Sequence, residues 1–555
     1  MTIPDIKRLG DVLIEHDLVT SDQMDMALQK QSVTDEKLGE LLVRLGTVSE
    51  YDLAHLLADQ RGIPFSSSDV MISNEALALF NMDYCENNLF LPVALEGHSE
   101  LRVIIGNTDP ETVRQLVRKR TGREAVLLQG EFSAVIRAIQ HHFYFNDNAV
   151  DALLQKEAVK LEQDLDQVLS PDKMVEYLLH YAIKERASDI HIQPEEKSLH
   201  VLFRIDGVMI PMIALSSKVS RLVTALKLRA EMDISDQIRP QDGSFSINII
   251  NADYDVRVST LISQYGENVV MRLLSGGSHV KGLNELGFYP EDVTKLESLF
   301  YNPSGIVLMT GPTGSGKSTT LHAGLRCKGM ASKNILTVED PIEYKLPIIC
   351  QTEVNRKSGY DFASAIRQFL RHDPDVMLVG EIRDSETAVA AITAAETGHL
   401  VLSTIHVNNV MGVFPRLTSL SINKDMIADS LIGVVNQRLA RKICPHCKAE
   451  HALSEADKSA FKRSDIPDVL YKGVGCDKCR GTGYQGRVPI YEVFYSDETI
   501  AAAIAEDKIR SDLPALLKTR QFVPIANNAL RRVREGSISI DEVRRLLGSS
   551  VQEQA

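Results

Sequence analysis

No apolar run in this 555-residue chain approaches the ~20 residues that a membrane-crossing helix needs, so no direct membrane span is expected. The start, Met1-Thr-Ile-Pro-Asp-Ile-Lys-Arg-Leu-Gly10, lacks the apolar core of a signal peptide. A cytoplasmic protein is therefore expected, with any membrane attachment made through partners. A basic excess is also missing. Lys and Arg number 61 against 75 Asp and Glu, for a formal charge of −14. That balance argues against broad binding to nucleic acid or to anionic membrane, while leaving room for a local basic patch. Cysteine is scarce, with seven residues, and four of these form two C-x-x-C pairs. In a reducing compartment such pairs favour a metal over disulfides. Cys85, Cys327 and Cys350 belong to no motif and read as small buried side chains.

What is present begins with length. The chain should hold three or four domains at the usual ~100–200 residues each, and its 44% hydrophobic content supplies cores for them. The most informative stretch is Gly311-Pro312-Thr313-Gly314-Ser315-Gly316-Lys317-Ser318-Thr319. It follows the apolar run Ile306-Val-Leu-Met309, which reads as a buried strand, and precedes residues that can open a helix. Strand, glycine-rich turn and helix start are the context a G-x-x-x-x-G-K-[ST] phosphate loop requires. The glycines let backbone N–H groups converge on phosphate oxygens, and the helix N-terminus adds positive potential. Lys317 is expected at the β- and γ-phosphates of a bound nucleotide, free of any packing role, and Ser318 on Mg²⁺.

Three further apolar runs end in polar residues. Val376–Val379 as a run (376–379) leads to Glu381, 335–338 leads to Glu339, Asp340 and Glu343, and 400–405 leads to His406. Strands that deliver polar groups at their carboxyl ends fit the crevice of an open α/β sheet. A carboxylate such as Glu381 can polarise the attacking water or hold water on the metal. For His399, capping and catalysis are equal readings.

Cys444-Pro-His-Cys447 and Cys476-Asp-Lys-Cys479 offer four thiolates in two chelating turns. A Cys₄ set suits tetrahedral Zn²⁺ and leaves no open position, so the site reads as structural. His446 lies between two of them and is not needed as a ligand.

The first 60 residues repeat without a gap: 8–31 aligns with 37–60. Leu9/Leu38, Gly10/Gly39, Leu13/Leu42, Val19/Val48, Met24/Leu53, Leu28/Leu57 and Gln31/Gln60 correspond. Each copy reads as helix, turn, helix. Thr20 and Ser49 should cap the second helix, with Gln23 and Asp52 three residues on. Along the chain, 1–145 reads as this repeat plus a small α/β unit, 146–173 as a polar helical linker, and 174–278 as a second mixed domain. The phosphate-loop domain takes 279–500, with the cysteines at 444–479, and 501–555 is helical.

Several of these segments resemble the ATPases that power type II secretion and type IV pilus assembly. Thr337-Val-Glu-Asp-Pro-Ile-Glu-Tyr344 is similar to their aspartate box, Arg371-His-Asp-Pro-Asp375 with Gly380-Glu-Ile-Arg-Asp384 to their Walker B motif, and Thr397-Gly-His-Leu-Val-Leu-Ser-Thr-Ile-His406 to their histidine box. Arg239-Pro-Gln-Asp-Gly243, Tyr265-Gly-Glu-Asn-Val-Val-Met-Arg272, Gln437-Arg-Leu-Ala-Arg441 and Gly483-Tyr-Gln-Gly-Arg487 also match, in the family's order, from about residue 150 onward. Val407-Asn-Asn-Val410 and Leu261-Ile-Ser-Gln264 depart from the pattern.

The resemblance implies an α/β multidomain fold: a RecA-like P-loop core, a PAS-like mixed middle domain, a helical-repeat plus α/β N-terminal domain and a small zinc subdomain. It implies a homo-hexameric ring that hydrolyses ATP, with Arg257 and Arg272 of the middle domain at the γ-phosphate. Read without the family, those two arginines would be surface ion pairs on strands. Implied partners are an inner-membrane platform protein and cytoplasmic docking proteins. Retraction motors of the family lack the zinc subdomain, so the direction of work reads as extension or export. The N-terminal repeat resembles paired cyclic di-GMP motifs found on some of these ATPases, implicating Arg8, Leu9, Gly10 and Gln31 with Lys37, Leu38, Gly39 and Gln60. Asp17 stands where the family prefers glycine, as at Gly46 in the second copy. The alternative for the repeat is a helical docking module. Three functions are carried forward: a pilus-assembly (MSHA-like) motor regulated by cyclic di-GMP, a type II secretion motor, and a nucleotide-sensing scaffold without turnover. DNA translocation is disfavoured by the acidity and by the absence of a DNA-binding motif.

Overall fold

The computed structural model describes residues 8–548 except 17, 35, 46, 67–69, 71, 98, 164–170, 276–281, 328–329, 331–332, 347–348, 453–468 and 510. Asp17 and Gly46 therefore lie outside the described residues. The chain divides into two compact units, Met1–His279 and Val280–Ala555.

The first unit opens with four helices, Leu9–Glu15, Ser21–Gln31, Leu38–Arg44 and Glu50–Arg61. The caps are those the sequence predicts. The Gln23 N–H donates to the Thr20 hydroxyl while the Thr20 N–H donates back to the Gln23 side chain, and the Asp52 N–H donates to Ser49. Leu13, Val19, Met24, Leu42, Val48, Leu53 and Leu57 form one small core, so most matched positions of the repeat are packing positions, while Leu28, the counterpart of Leu57, is exposed. A Cβ on Gly10 would lie 3.3 Å from the Met24 sulfur, and one on Gly39 would lie 2.9 Å from Leu53. The repeated glycine thus lets the first helix of each copy cross close over the second.

A three-stranded sheet follows, Phe90–Glu96, Glu100–Ile105 and Glu124–Gln129, with helices Pro110–Thr121 and Phe132–Asp147. Glu50 of the second repeat accepts from the Ser133 N–H and hydroxyl at 2.5 and 2.7 Å, which caps the helix Phe132–Asp147 from a distant element. The stretch expected as a helical linker is helical over Val150–Gln163. Its Val150, Leu154 and Ala158 are buried in the core of the middle domain. Their spacing of four puts a buried apolar stripe on one side of this helix, enough to dock it. That core lies under a six-stranded antiparallel sheet, in the order Val208–Ser216, Ser198–Ile205, Asp189–Pro194, Gly266–Ser275, Ala252–Ser263, Gln241–Ile249. Helices Asp172–Lys184 and Arg221–Arg229 contribute to the same core.

The second unit is built on a seven-stranded sheet. Its order is Cys350–Glu353, Ile335–Glu339, Val376–Ile382, Leu400–Ile405, Gly305–Thr310, Leu431–Ile443, Tyr484–Tyr495. All neighbours are parallel except the last pair. Gly305–Thr310 and Leu400–Ile405 are buried at every residue. Ile306 and Leu308 face one core with Phe369 and Ile392, while Val307 and Met309 face the other with Leu296 and Phe300. A parallel sheet covered on both faces needs such continuous apolar strands. Four helices, Glu498–Ala505, Leu513–Thr519, Ile525–Arg534 and Ile540–Leu547, end the unit. Among the described residues, no helix is long and apolar enough to cross a membrane.

Candidate functional site

The strand Gly305–Thr310 feeds the turn 311–316, and the helix Lys317–Gly324 starts at its far side. Gly311, Gly314 and Gly316 have φ of 135°, 75° and 88°, values that side chains with a Cβ rarely adopt. Such alternation aims successive N–H groups into one concavity, an anion cradle. A Cβ would also collide with the neighbouring strand: at Gly311 it would lie 2.3 Å from the Gln437 carbonyl oxygen, and at Gly316 2.7 Å from the Gln437 amide nitrogen. Gln437 clamps the turn. Its Nε2 donates to the Ser315 carbonyl at 2.9 Å, and its Oε1 accepts from the Thr320 hydroxyl at 2.9 Å. Sequence reasoning matched the motif around Gln437 without finding this job, because the contact spans more than a hundred residues.

Lys317 is only 9% exposed, and its ammonium donates to the Gly311 and Pro312 carbonyls at 2.9 and 3.0 Å. This corrects the expectation that it has no packing role. Burial lowers its pKa, with the negative charges of Glu381 and Glu343 acting against that shift. Ser318 and Thr319 open the helix, half-buried, and Pro312, Thr313 and Gly314 are exposed at the tip of the turn.

The three strand ends lie on one edge, since their strands are parallel neighbours. Glu381 is at the end of Val376–Ile382, 13% exposed, and its two oxygens meet Arg383 at 2.5 Å and His406 Nε2 at 3.1 Å. Glu339 turns inward. One oxygen meets His322 Nε2 at 3.0 Å, and the other accepts from the Thr337 hydroxyl at 2.7 Å and the Gln351 amide at 3.0 Å. Burial would raise its pKa, but these hydrogen bonds and the His322 contact win and lower it. Asp340 and Glu343 are exposed, and Asp340 pairs with Arg356 at 3.2 Å. His399 Nδ1 sits 2.9 Å from the Ala394 carbonyl at the end of helix Ser385–Glu396, a capping role.

Arg257 and Arg272 belong to the first unit, directly opposite one another on the strands Ala252–Ser263 and Gly266–Ser275, and both are exposed. Among the four cysteines, the ligand atoms all lie within 4.8 Å of one another. Sulfur–sulfur distances are 3.9 Å for Cys444–Cys476, 3.8 Å for Cys447–Cys479 and 3.7 Å for Cys476–Cys479. A tetrahedron with Zn–S bonds of about 2.3 Å has edges of about 3.8 Å, so the set fits zinc. The N–H groups of Cys476 and Gly483 both donate to the Cys479 sulfur at 3.2 Å, as suits a thiolate.

At the N-terminus, Arg8 is exposed, Leu9, Gly10, Leu38 and Gln60 are half-buried, and Gly39 is buried. Gln31 donates to the Glu36 carbonyl at 3.1 Å, and Lys37 to the Asn107 carbonyl at 2.7 Å. A cavity of about 300 Å³ opens between the second repeat and the three-stranded unit. Leu53, Leu57 and Phe132 give it an apolar wall, and Glu40, Asn107 and Gln129 a polar one.

Residues 164–545 match the family described as Type II/IV secretion system protein, and residues 61–148 match the MshEN domain. The repeat at 8–60 precedes that second match. The type II secretion system ATPase E of Vibrio cholerae is 43% identical over 411 residues, covering 71% of this chain and 79% of the relative. The type IV pilus assembly ATPase PilB of Myxococcus xanthus is 32% identical over 559 residues, covering 97% and 98%. Among solved structures, the ATPase DotB of Yersinia pseudotuberculosis superposes with a TM-score of 0.52 over 69% of this chain and 95% of DotB, at 21% identity, a likeness of fold. With its RecA-like P-loop core and ATP-directed turn, the chain belongs to the type II/IV secretion system protein family and is one of its ATPases.

Proposed function

We propose that the chain works in the cytoplasm as a homo-hexameric motor that drives assembly of a type IV pilus of the MSHA-like kind, under control of cyclic di-GMP at its N-terminal domain. The observation that carries this reading is the end-to-end match to a pilus assembly ATPase, over 97% of this chain, together with the MshEN match at 61–148. Type II secretion is the second reading, favoured by the higher identity of 43% to a secretion ATPase over a shorter span. A scaffold without turnover has little support beside the intact Lys317 and Glu381. The deciding test is genetic. Loss of the gene should abolish surface pili and leave secreted enzymes at normal levels; the reverse pattern would establish the secretion reading. Partners would be a membrane platform protein and docking proteins of that machine.

In the site, Lys317 would exchange its two loop carbonyls for β- and γ-phosphate oxygens, and Ser318 would hold Mg²⁺. Bound magnesium supplies charge neutralisation to the phosphates. Glu381, held by Arg383 and His406, orients the attacking water and accepts its proton. Glu339 fixes the P-loop helix through His322, and Asp340 and Glu343 would offer carboxylates to the metal site. Arg257 and Arg272 meet the γ-phosphate in the assembled ring, where guanidinium charge counters the charge of the transition state. Zinc on Cys444, Cys447, Cys476 and Cys479 stabilises the small subdomain.

Glu381→Gln should bind ATP nearly as well as the parent and turn it over about 10²–10³-fold more slowly, because the amide keeps the shape and loses the base. Nucleotide affinity and steady-state hydrolysis, measured side by side, check this. An equal fall in both would make Glu381 a binding residue only.

For the N-terminal domain, the cavity's apolar wall suits a guanine face, and the Glu40 carboxylate suits the guanine N–H edge. Arg8 and Lys37 provide charge for phosphates, although neither lines that cavity. Calorimetric titration of the full-length protein with cyclic di-GMP should give saturable heat, lost or strongly reduced in Arg8→Ala. Absence of binding at tens of micromolar ligand would leave the repeat as a docking module.

A further inference from the structure

Beside the two arginines already described, the middle sheet carries a third that no motif singled out. Read across the strands, Ser244, Arg257, Arg272, Asp189 and Arg204 are successive partners, one per strand. Their flanking neighbours Val256, Val258, Met271, Ile190 and Phe203 are buried in the core, so this row lies on the opposite face. Guanidiniums directly opposite one another repel and destabilise a sheet. Arg257 and Arg272 nonetheless occupy such a pair, and the row holds three arginines against one acid.

That acid is unusually placed. The Asp189 side chain is 6% exposed, whereas Arg272 is 61% and Arg204 38% exposed. One carboxylate oxygen accepts from Arg272 Nε at 2.9 Å. The other lies 3.4 Å from Arg204 Nε and accepts from the Ser188 hydroxyl at 2.8 Å. A guanidinium held by Nε keeps its terminal nitrogens for a second acceptor, and those nitrogens are the pair that grips phosphate side by side. A buried carboxylate that takes the Nε of Arg272 and pairs with that of Arg204 therefore aims both from the same side; the Arg204 fork has one further contact, a long one from Nη1 to the Gly207 carbonyl at 3.4 Å.

We propose that Asp189 is the positioning residue of this face, and that Arg204 is its third phosphate-reading arginine beside Arg257 and Arg272. The proposal rests on the reading that this face meets the γ-phosphate of ATP. Asp189→Asn is the sharpest probe. The amide is isosteric, but its NH₂ group faces an arginine N–H and can no longer hold both guanidiniums.

The test uses full-length protein in its assembled form: wild type, Arg272→Ala, Asp189→Asn and Arg204→Ala. Steady-state ATP hydrolysis is measured with binding of ADP and of a non-hydrolysable ATP analogue. Asp189→Asn and Arg204→Ala should each lower kcat about 10-fold or more with KM changed less than about 3-fold. Both should weaken the ATP analogue and leave ADP affinity unchanged, which general structural damage would not do. Wild-type kcat in Asp189→Asn, with Arg272→Ala inactive, would overturn the positioning role and leave the arginine reading intact. Wild-type kcat in Arg204→Ala would remove Arg204 from the face. Full activity in Arg272→Ala would overturn the arginine reading itself.

Discussion

Lys317→Ala should reduce ATP hydrolysis by at least about 10²–10³-fold, the scale seen when one preorganised charge or donor is removed from a reacting oxyanion. Its ammonium, beside the turn 311–316, is the cation proposed to meet the phosphates. The structure adds a qualification to the stability side of this prediction. Lys317 bridges the Gly311 and Pro312 carbonyls from a buried position, so alanine removes two hydrogen bonds as well as a charge. Each is worth about 0.5–1.5 kcal/mol, and Pro312 is exposed, so water can replace part of the loss. The melting temperature should fall by only a few degrees while turnover disappears. Parent-like turnover in the variant would end the motor reading. Collapse of the fold would show that the lysine acts chiefly as a loop strut.

Zinc removal should have the largest effect on stability. Purified protein should contain about one equivalent of zinc per chain, and Cys447→Ser should lose it. Structural zinc in small domains carries apparent binding free energies of about 10–16 kcal/mol at neutral pH, and that energy is folding energy. Here it would hold together the two cysteine turns and the hairpin between them. The hairpin of Lys448–Ala452 and Val469–Gly473 has two strands, and its backbone lies against the next turn so closely that a Cβ on Gly473 would sit 1.9 Å from the Gly483 carbonyl oxygen. Two strands alone are marginal in water. Limited proteolysis after chelation should cut first between residues 444 and 484, ahead of the P-loop core. Protein free of metal, with an unchanged melting profile and cleavage pattern, would refute the site.

Some of the molecule was legible without coordinates because its signals are local. The buried strands around Ile306, Val376 and Leu400 announce themselves by continuous apolar runs, since a parallel sheet covered on both faces admits nothing else. The caps at Thr20 and Ser49 follow from hydroxyls three residues ahead of an acceptor or amide. The glycines of 311–316 and the two C-x-x-C turns carry their chemistry in spacing. The helix Val150–Gln163 was expected as a helical linker, but its packing was not legible, because its apolar residues are irregularly spaced among charged ones. Only a partner surface could show that Val150, Leu154 and Ala158 suffice to bury it.

By itself, the sequence determined the phosphate turn, the cysteine set, the repeated helix pairs and the family to which the chain belongs, all properties of residues within about thirty positions of each other or of motif order. Tertiary structure alone decided which polar groups work together. It turned Glu339 inward to His322 and left Glu381 at the sheet edge with His406 and Arg383, although both acids end parallel strands. It set Gln437 against the P-loop, Glu50 against Ser133, and Asp189 between Arg272 and Arg204. These pairings join strands and helices far apart in the chain. Hydrogen-bond geometry falls off within a few tenths of an ångström, so only sheet register and packing can choose among the acids and amides that composition offers.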